Sequence, residues 1–310
     1  MFLEKIKNKE TGILIYSITP PKINSDELKI KEIAQKHTER ITDLPIDALI
    51  VYDVQDESHR TKEARPFPFL AALDPINFTV QYLNELKTDK IIYRPAGKYT
   101  SEELTLWNET MHSNGFYPVF VGVPSPDYVP KISLNEAYTL WHATSKSSSV
   151  IGAIAIPERH EILKDEDQRV WDKHQNGVDY FITQCIYNVE ICKNMLLAIL
   201  KKATLENTEC PTIIFTLSTC GNLKTLDFLN WLGININASF YERLQNATNI
   251  LDESVSICNE IASELIVFCQ NNKIPFGFNI ESVALKKEEI EASLQLVHQI
   301  KEKYALVSTV

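Results

Sequence analysis

DYFITQCIYN, residues Asp179–Asn188, reads as a short apolar strand that finishes on polar groups: Gln184, Cys185, Tyr187 and Asn188. A buried strand that ends on an amide, a thiol and a phenol raises the question of what meets them. Working outward in both directions, the same pattern recurs. GILIYSITPP, DALIVYDVQDE, KIIYRPAGK, YPVFVGVPS and IGAIAIPERH precede it, and TIIFTLSTCG and IPFGFNIESV follow, with stretches of helical spacing between the runs. Such an order predicts parallel strands joined by crossover helices. Eight strand–helix units close naturally into a (β/α)8 TIM barrel, an α/β fold that uses residues 1–310 as one domain. A doubly wound open sheet is the alternative.

Local signals agree with that division. Ser25 with Glu27, Thr100 and Ser101 before Glu102 and Glu103, and Asn222 before KTLDFLNWLG mark helix starts. Gly115, Gly177 and Gly233 fall where helix C-terminal caps are expected. The longest interruption, around 234–272, carries an amphipathic stretch that predicts an additional helix before the last barrel helix. No linker, low-complexity segment or longer repeat divides the chain.

Bulk properties narrow the partner. With 44% hydrophobic residues over 310 positions the chain can bury a large core. A formal charge of -10 and a pI near 5.3 argue against nucleic acid or an anionic membrane surface and favour a small molecule. The opening MFLEKIKNKE has no apolar signal region and no run reaches membrane-spanning length, so a cytoplasmic location is expected. The six cysteines form no CxxC pair and suit buried positions in a reducing compartment. Glycine is scarce, and neither GxGxxG nor GxxxxGK[ST] occurs, which speaks against a phosphate cradle of either type.

In a barrel of this kind the active site lies at the C-terminal ends of the strands. Those ends supply Ser17 and Thr19; Asp53, Gln55, Asp56 and Glu57; Arg94 and Lys98; Ser125; Glu158, Arg159 and His160; Gln184, Tyr187 and Asn188; Ser218, Cys220 and Lys224; and Asn279, Glu281 and Ser282. His160 suits proton transfer or stacking on a ligand, and Glu158 becomes a proton donor if burial lifts its pKa. Asp53, Asp56 and Glu57 near His59 and Arg60 suit a cationic or pterin-like ligand; no HxH or HExxH pattern fixes a metal there, and none is expected. Arg94, Lys98 and Lys224 suit a carboxylate-bearing tail. Cys220, after a strand and before a helix start, is a candidate nucleophile for non-redox chemistry.

The order of these strand ends resembles the methylenetetrahydrofolate reductases. ITPPK is similar to that family's Glu-Phe-Phe-Pro-Pro, IPERH to its Tyr-Pro-Glu-x-His, and GVDYFITQCIYN to its Gly-Ala-Asp-x-x-Ile-Thr-Gln-x-x-Phe-Asp. YDVQDESHR, RPFPF, YRPAGKY and FGFNIESV look like a divergent branch of it. The resemblance implies a TIM barrel that reduces a methylene-folate, with NAD(P)H as hydride donor and FAD as carrier. It places Gln184 on the pterin ring, with Tyr187, Asn279 and Lys224 beside the substrate and His160, Arg94 and Lys98 beside the cofactor. Ser17 stands where the family's catalytic glutamate belongs, leaving Glu57, Glu158 and Glu281 as candidate acids. Gly122, Val123, Pro124 and Ser125 replace the flavin segment, so hydride is expected from NAD(P)H either directly, without tightly bound FAD, or through a flavin held unconventionally. A folate-binding or non-redox barrel that has lost the reductase step is the alternative. Barrels of this kind often associate, and a homo-oligomer is compatible with the sequence.

Overall fold

The computed structural model describes residues 1–57, 61–123, 128–144, 149–284 and 286–307. Helix α1 (Phe2–Lys7) leads to β1 (Ile13–Ile18), α2 (Glu27–Ile41), β2 (Ala48–Val51) and α3 (Pro75–Tyr82). Next come β3 (Asp89–Pro95), α4 (Ser101–Asn114), β4 (Tyr117–Val121), α5 (Leu134–Thr144) and β5 (Gly152–Ala155). Two short helices, α6 (Pro157–Leu163) and α7 (Glu166–Gln175), precede β6 (Tyr180–Cys185), α8 (Val189–Glu206) and β7 (Thr212–Thr219). Helices α9 (Leu223–Trp231), α10 (Ala238–Asn246) and α11 (Ile250–Asn271) lie between β7 and β8 (Phe276–Ser282), and α12 (Lys287–Val307) ends the chain. All neighbouring strands are parallel, and β8 returns to β1 with Ile13 opposite Gly277, closing the eight-stranded barrel. The expected (β/α)8 fold is the one observed, and the 234–272 stretch holds α10 and α11.

Parallel strands in a barrel are covered on both faces, so they read as nearly continuous apolar runs; β1 and β7 are buried at every position. Alternate residues serve two cores. Ile13, Ile15, Ile50, Ile91, Val119, Ile182 and Ile214 fill the barrel, whereas Leu14, Leu49, Ile92, Phe120, Phe181 and Phe215 pack against the helices. Helix α1 closes the N-terminal end: Phe2 joins the inner core, its ring 5.4 Å from Tyr117 and 5.3 Å from Tyr180.

Caps place the helices as their chemistry requires. Thr100 and Glu103 form a capping box on α4, and Gly115 ends that helix at φ 66°. Asn222 caps α9 through the Thr225 amide, while Asp26 rather than Ser25 caps α2.

The connection from β2 to α3 crosses part of the mouth. Residues 71–73 run against 21–23, with Ile23 N donating to Ala71 O at 2.9 Å and Leu73 N to Pro21 O at 2.8 Å. Its middle reaches α9. The Phe67 ring meets Phe228 edge-on at 5.4 Å, the Arg65 guanidinium lies 4.8 Å from Phe228 and 5.5 Å from Trp231, and Trp231 Nε1 donates to Glu63 O at 3.1 Å. Since β2, β1, β8 and β7 are successive neighbours, this strap spans the β1–β8 side of the barrel.

Candidate functional site

Following the inner-facing positions upward from the apolar core leads to a polar layer at the C-terminal end. Ser17 Oγ donates to Asn279 Oδ1 at 2.5 Å; Asn279 Nδ2 donates to Tyr52 Oη and to Thr216 Oγ1, both at 3.2 Å; Tyr52 Oη donates to Glu281 Oε2 at 2.5 Å. Tyr93 stacks edge-on against Tyr52 at 4.8 Å. Burial pushes the Glu281 carboxyl upward, opposed only by the Tyr52 hydrogen bond, so its neutral form is favoured. Burial and the Glu281 charge push the Tyr52 and Tyr93 phenols well above their ordinary value, keeping both neutral.

A second group gathers where β5 and β6 end, and it answers the question that Asp179–Asn188 raised. Gln184 donates to the Leu232 carbonyl at 2.9 Å, Glu158 Oε1 accepts from the Asn235 amide at 3.3 Å, and Asn188 Nδ2 donates to Asn235 Oδ1 at 2.8 Å. The turn after α9 thus meets three polar residues from the ends of β5 and β6. Asn188 also caps α8. Tyr187 is fully buried, its hydroxyl donating to Ser218 O at 2.6 Å, and Cys185 is buried in the outer core. Gln184 is only half-buried, and a register shift in β6 between Ile182 and Cys185 sets its position.

The remaining candidates are dispersed. Arg94 points into the layer outside the barrel, pairing with Asp53 at 3.2 Å and Asp74 at 2.9 Å, donating to Tyr99 Oη, and lying 4.8 Å from the Trp107 ring. Burial lifts the Asp53 carboxyl, and Arg94 and Lys98 pull it back. His160 Nδ1 lies 3.4 Å from Asp167, while Arg159 pairs with the fully buried Glu166 at 2.9 Å. Lys224 is exposed, with Nζ 4.7 Å from the Phe67 ring of the strap. Glu57 is half-buried where the strap begins; His59, Arg60 and Ser125 lie outside the described residues. Burial pushes the Cys220 thiol up to about 12, and its Sγ donates to the Asn222 carbonyl. Desolvation outweighs any effect of the helix start and disfavours the thiolate that the nucleophile expectation needs.

Of the residues in these two groups the sequence reading named Asn279, Glu281, Ser17, Gln184 and Glu158 and passed over Tyr52, Tyr93 and Thr216. Strand alternation was the available signal: Tyr52 continues the inward series Ala48, Ile50, and Tyr93 follows Ile91.

Of the residues assigned to a flavin, Arg94 and Lys98 both act on Asp53, Arg94 also pairs with Asp74, and His160 Nδ1 lies 3.4 Å from Asp167. Among the described residues, no three His, Cys, Asp or Glu side chains are grouped to hold a metal ion, and no helix is long and apolar enough to cross a membrane.

No protein-family profile matches the sequence, and no curated protein does. Among solved structures, 2,3-dimethylmalate lyase of the PEP mutase/isocitrate lyase superfamily overlays with a TM-score of 0.44 at 10% identity, over 99% of this chain and 97% of that one, too distant to carry an argument. An uncharacterized protein from Clostridium thermocellum that binds two copies of 5-methyl-5,6,7,8-tetrahydrofolic acid overlays with a TM-score of 0.85 at 42% identity, over 97% of this chain and 99% of that one. At that identity over nearly the whole of both chains, this protein belongs to the same family of barrels as the Clostridium thermocellum protein.

Proposed function

We propose that the barrel mouth binds a reduced folate and that Glu281 supplies a proton to it. The observation that carries the reading is the full-length likeness to a barrel that binds 5-methyl-5,6,7,8-tetrahydrofolic acid. The chemistry of the mouth supports it. The Gln184 amide suits the donor and acceptor edge of a pterin, and Glu281 is a carboxyl favoured in its neutral form beside hydroxyl and amide groups.

The finer proposal is reduction of a methylene-folate in the manner of the methylenetetrahydrofolate reductases. One carbon–nitrogen bond of the methylene bridge breaks, the released nitrogen takes the proton from Glu281, and the iminium carbon takes a hydride from NAD(P)H to become a methyl group. This balances without a flavin. Of the three candidate acids, Glu281 is favoured because it lies in the inner polar layer; Glu158 sits against the Asn235 amide and Glu57 at the root of the strap.

The test is calorimetric titration with 5-methyltetrahydrofolate, followed by NADH and NADPH oxidation with methylenetetrahydrofolate. Binding is expected in the wild type, roughly tenfold weaker in Gln184→Leu, about the cost of an unpaired polar group. Turnover is expected to fall about 10²–10⁴-fold in Glu281→Gln with binding retained. A wild type that fails to bind the folate refutes the reading. Binding without oxidation of either nucleotide removes the reductase step and leaves a folate-binding barrel.

A further inference from the structure

The hydrogen bonds around Glu281 have a direction that fixes where its proton sits. The chain of bonds is anchored at a backbone carbonyl, Thr183 O, which accepts from Thr216 Oγ1 at 2.8 Å. Having given its one proton there, Thr216 can only accept from Asn279. Asn279 must therefore turn its NH2 group toward Thr216 and Tyr52 and its oxygen toward Ser17, which removes the usual ambiguity of an amide side chain. Tyr52 Oη receives one Asn279 proton and passes its own to Glu281 Oε2. Oε2 is thereby an acceptor in either ionisation state of Glu281.

We propose that Tyr52, Asn279 and Thr216 are positioning residues for Glu281, holding Oε2 as an acceptor so that the transferable proton resides on Oε1, the oxygen available to a ligand at the mouth. The role assigned to that proton rests on the folate reading above; the geometry does not. When the proton leaves Oε1 for a basic nitrogen of the ligand, the carboxylate that remains keeps the Tyr52 hydrogen bond, and solvent resupplies the proton.

Tyr52 after β2 and Tyr93 on β3 face Glu281 from the inner side, while Tyr16 on β1, bonded to Ser293 and near Arg40, and Cys185 on β6 lie in the outer core but close enough to feel a charge on Glu281; burial in the first place keeps all four neutral. Its register neighbour on β7 is Ser218. No cation is among them, so Tyr52 is the group that most favours the charged form of Glu281.

The experiment is a pH titration of glutamate carboxyl carbons by NMR in the ligand-free protein, with the Glu281 resonance assigned through its loss in Glu281→Gln. Removing the Tyr52 hydroxyl takes away the bond that stabilises the carboxylate, so Tyr52→Phe moves the Glu281 midpoint upward. Thr216→Val, which frees the Asn279 amide to turn, moves it as well. An unmoved or lowered midpoint in a folded Tyr52→Phe protein overturns the proposal. So does a wild-type midpoint in the ordinary glutamate range. If Tyr52→Phe does not fold, Thr216→Val decides by the same reading: a moved midpoint supports the proposal and an unmoved one overturns it. Folate titration on the same samples separates the two readings. Lost folate binding with the midpoints behaving as expected rejects the folate assignment alone, and normal binding with unmoved midpoints rejects the positioning chain alone.

Discussion

Glu281 puts opposing demands on stability and chemistry. Burial lifts its carboxyl pKa in the folded state above the unfolded value. The folded state therefore binds the proton more tightly, and this stabilising contribution is full below the ordinary glutamate value of ~4.3 and is lost as pH rises through the lifted one. Glu281→Gln should melt at a higher temperature than the wild type at neutral pH, with the advantage shrinking below pH ~4. Melting curves across pH check this; a variant that melts lower at neutral pH would mean the charged carboxylate is well compensated in place. Arg94 is a contrasting case. Its guanidinium is almost fully buried between Asp53 and Asp74. Arg94→Met leaves the carboxylates without their counter-charge and should cost about 3–5 kcal/mol in urea unfolding. Arg94→Lys recovers only part, because one ammonium cannot also reproduce the planar contacts with Tyr99 and Trp107. An Arg94→Met protein of unchanged stability would contradict this account.

Among the strand-to-helix connections, the strap from β2 to α3 is the longest. Its hold on α9 is aromatic and cationic: Phe67 on Phe228, Arg65 beside Phe228 and Trp231, Lys224 over Phe67. A Phe67→Ala, Phe228→Ala double-mutant cycle should return a coupling of about 0.5–1.5 kcal/mol, the range for an edge-on aromatic pair. A coupling near zero would mean that the strap rests on α9 without being held by it. Lys224 stood in the sequence as a candidate for a carboxylate-bearing tail, and only the packed strap gives it and Arg65 aromatic partners. The polar end of β6 shows the same limit. Gln184 and Asn188 were legible as unusual, yet their partners Leu232 and Asn235 lie 48 and 47 residues on, brought back by the turn after α9.

At the scale of the whole molecule, closure of the barrel leaves little room inside. A Cβ built on Gly152 would lie 2.5 Å from the Tyr180 ring and 2.8 Å from Val119. Gly152→Ala should therefore destabilise the protein by about 1–3 kcal/mol, read from the denaturation midpoint, through overpacking of the inner core. Unchanged stability would mean that the Tyr180 ring can withdraw. Tyr180 is held in turn by Phe2 of α1, so the N-terminal helix and the fifth and sixth strands share one packed end.

The sequence by itself determined the eight strand–helix units, because parallel strands buried on both faces must be apolar throughout and helices must carry spaced apolar residues and caps. It also located the polar strand ends, since polar groups cannot continue a buried strand. Tertiary structure alone decided which of those ends share a site. Inward and outward positions differ by one residue along a strand, and only barrel closure brings Tyr52, Thr216 and Asn279, distant in sequence, within hydrogen-bonding distance of one another. The same closure set Arg94 outside the barrel against Asp53 and Asp74. It also buried Glu281 with no cation beside it among the described residues, and it is that burial, a property of the assembled mouth rather than of any local stretch, that lifts the Glu281 carboxyl.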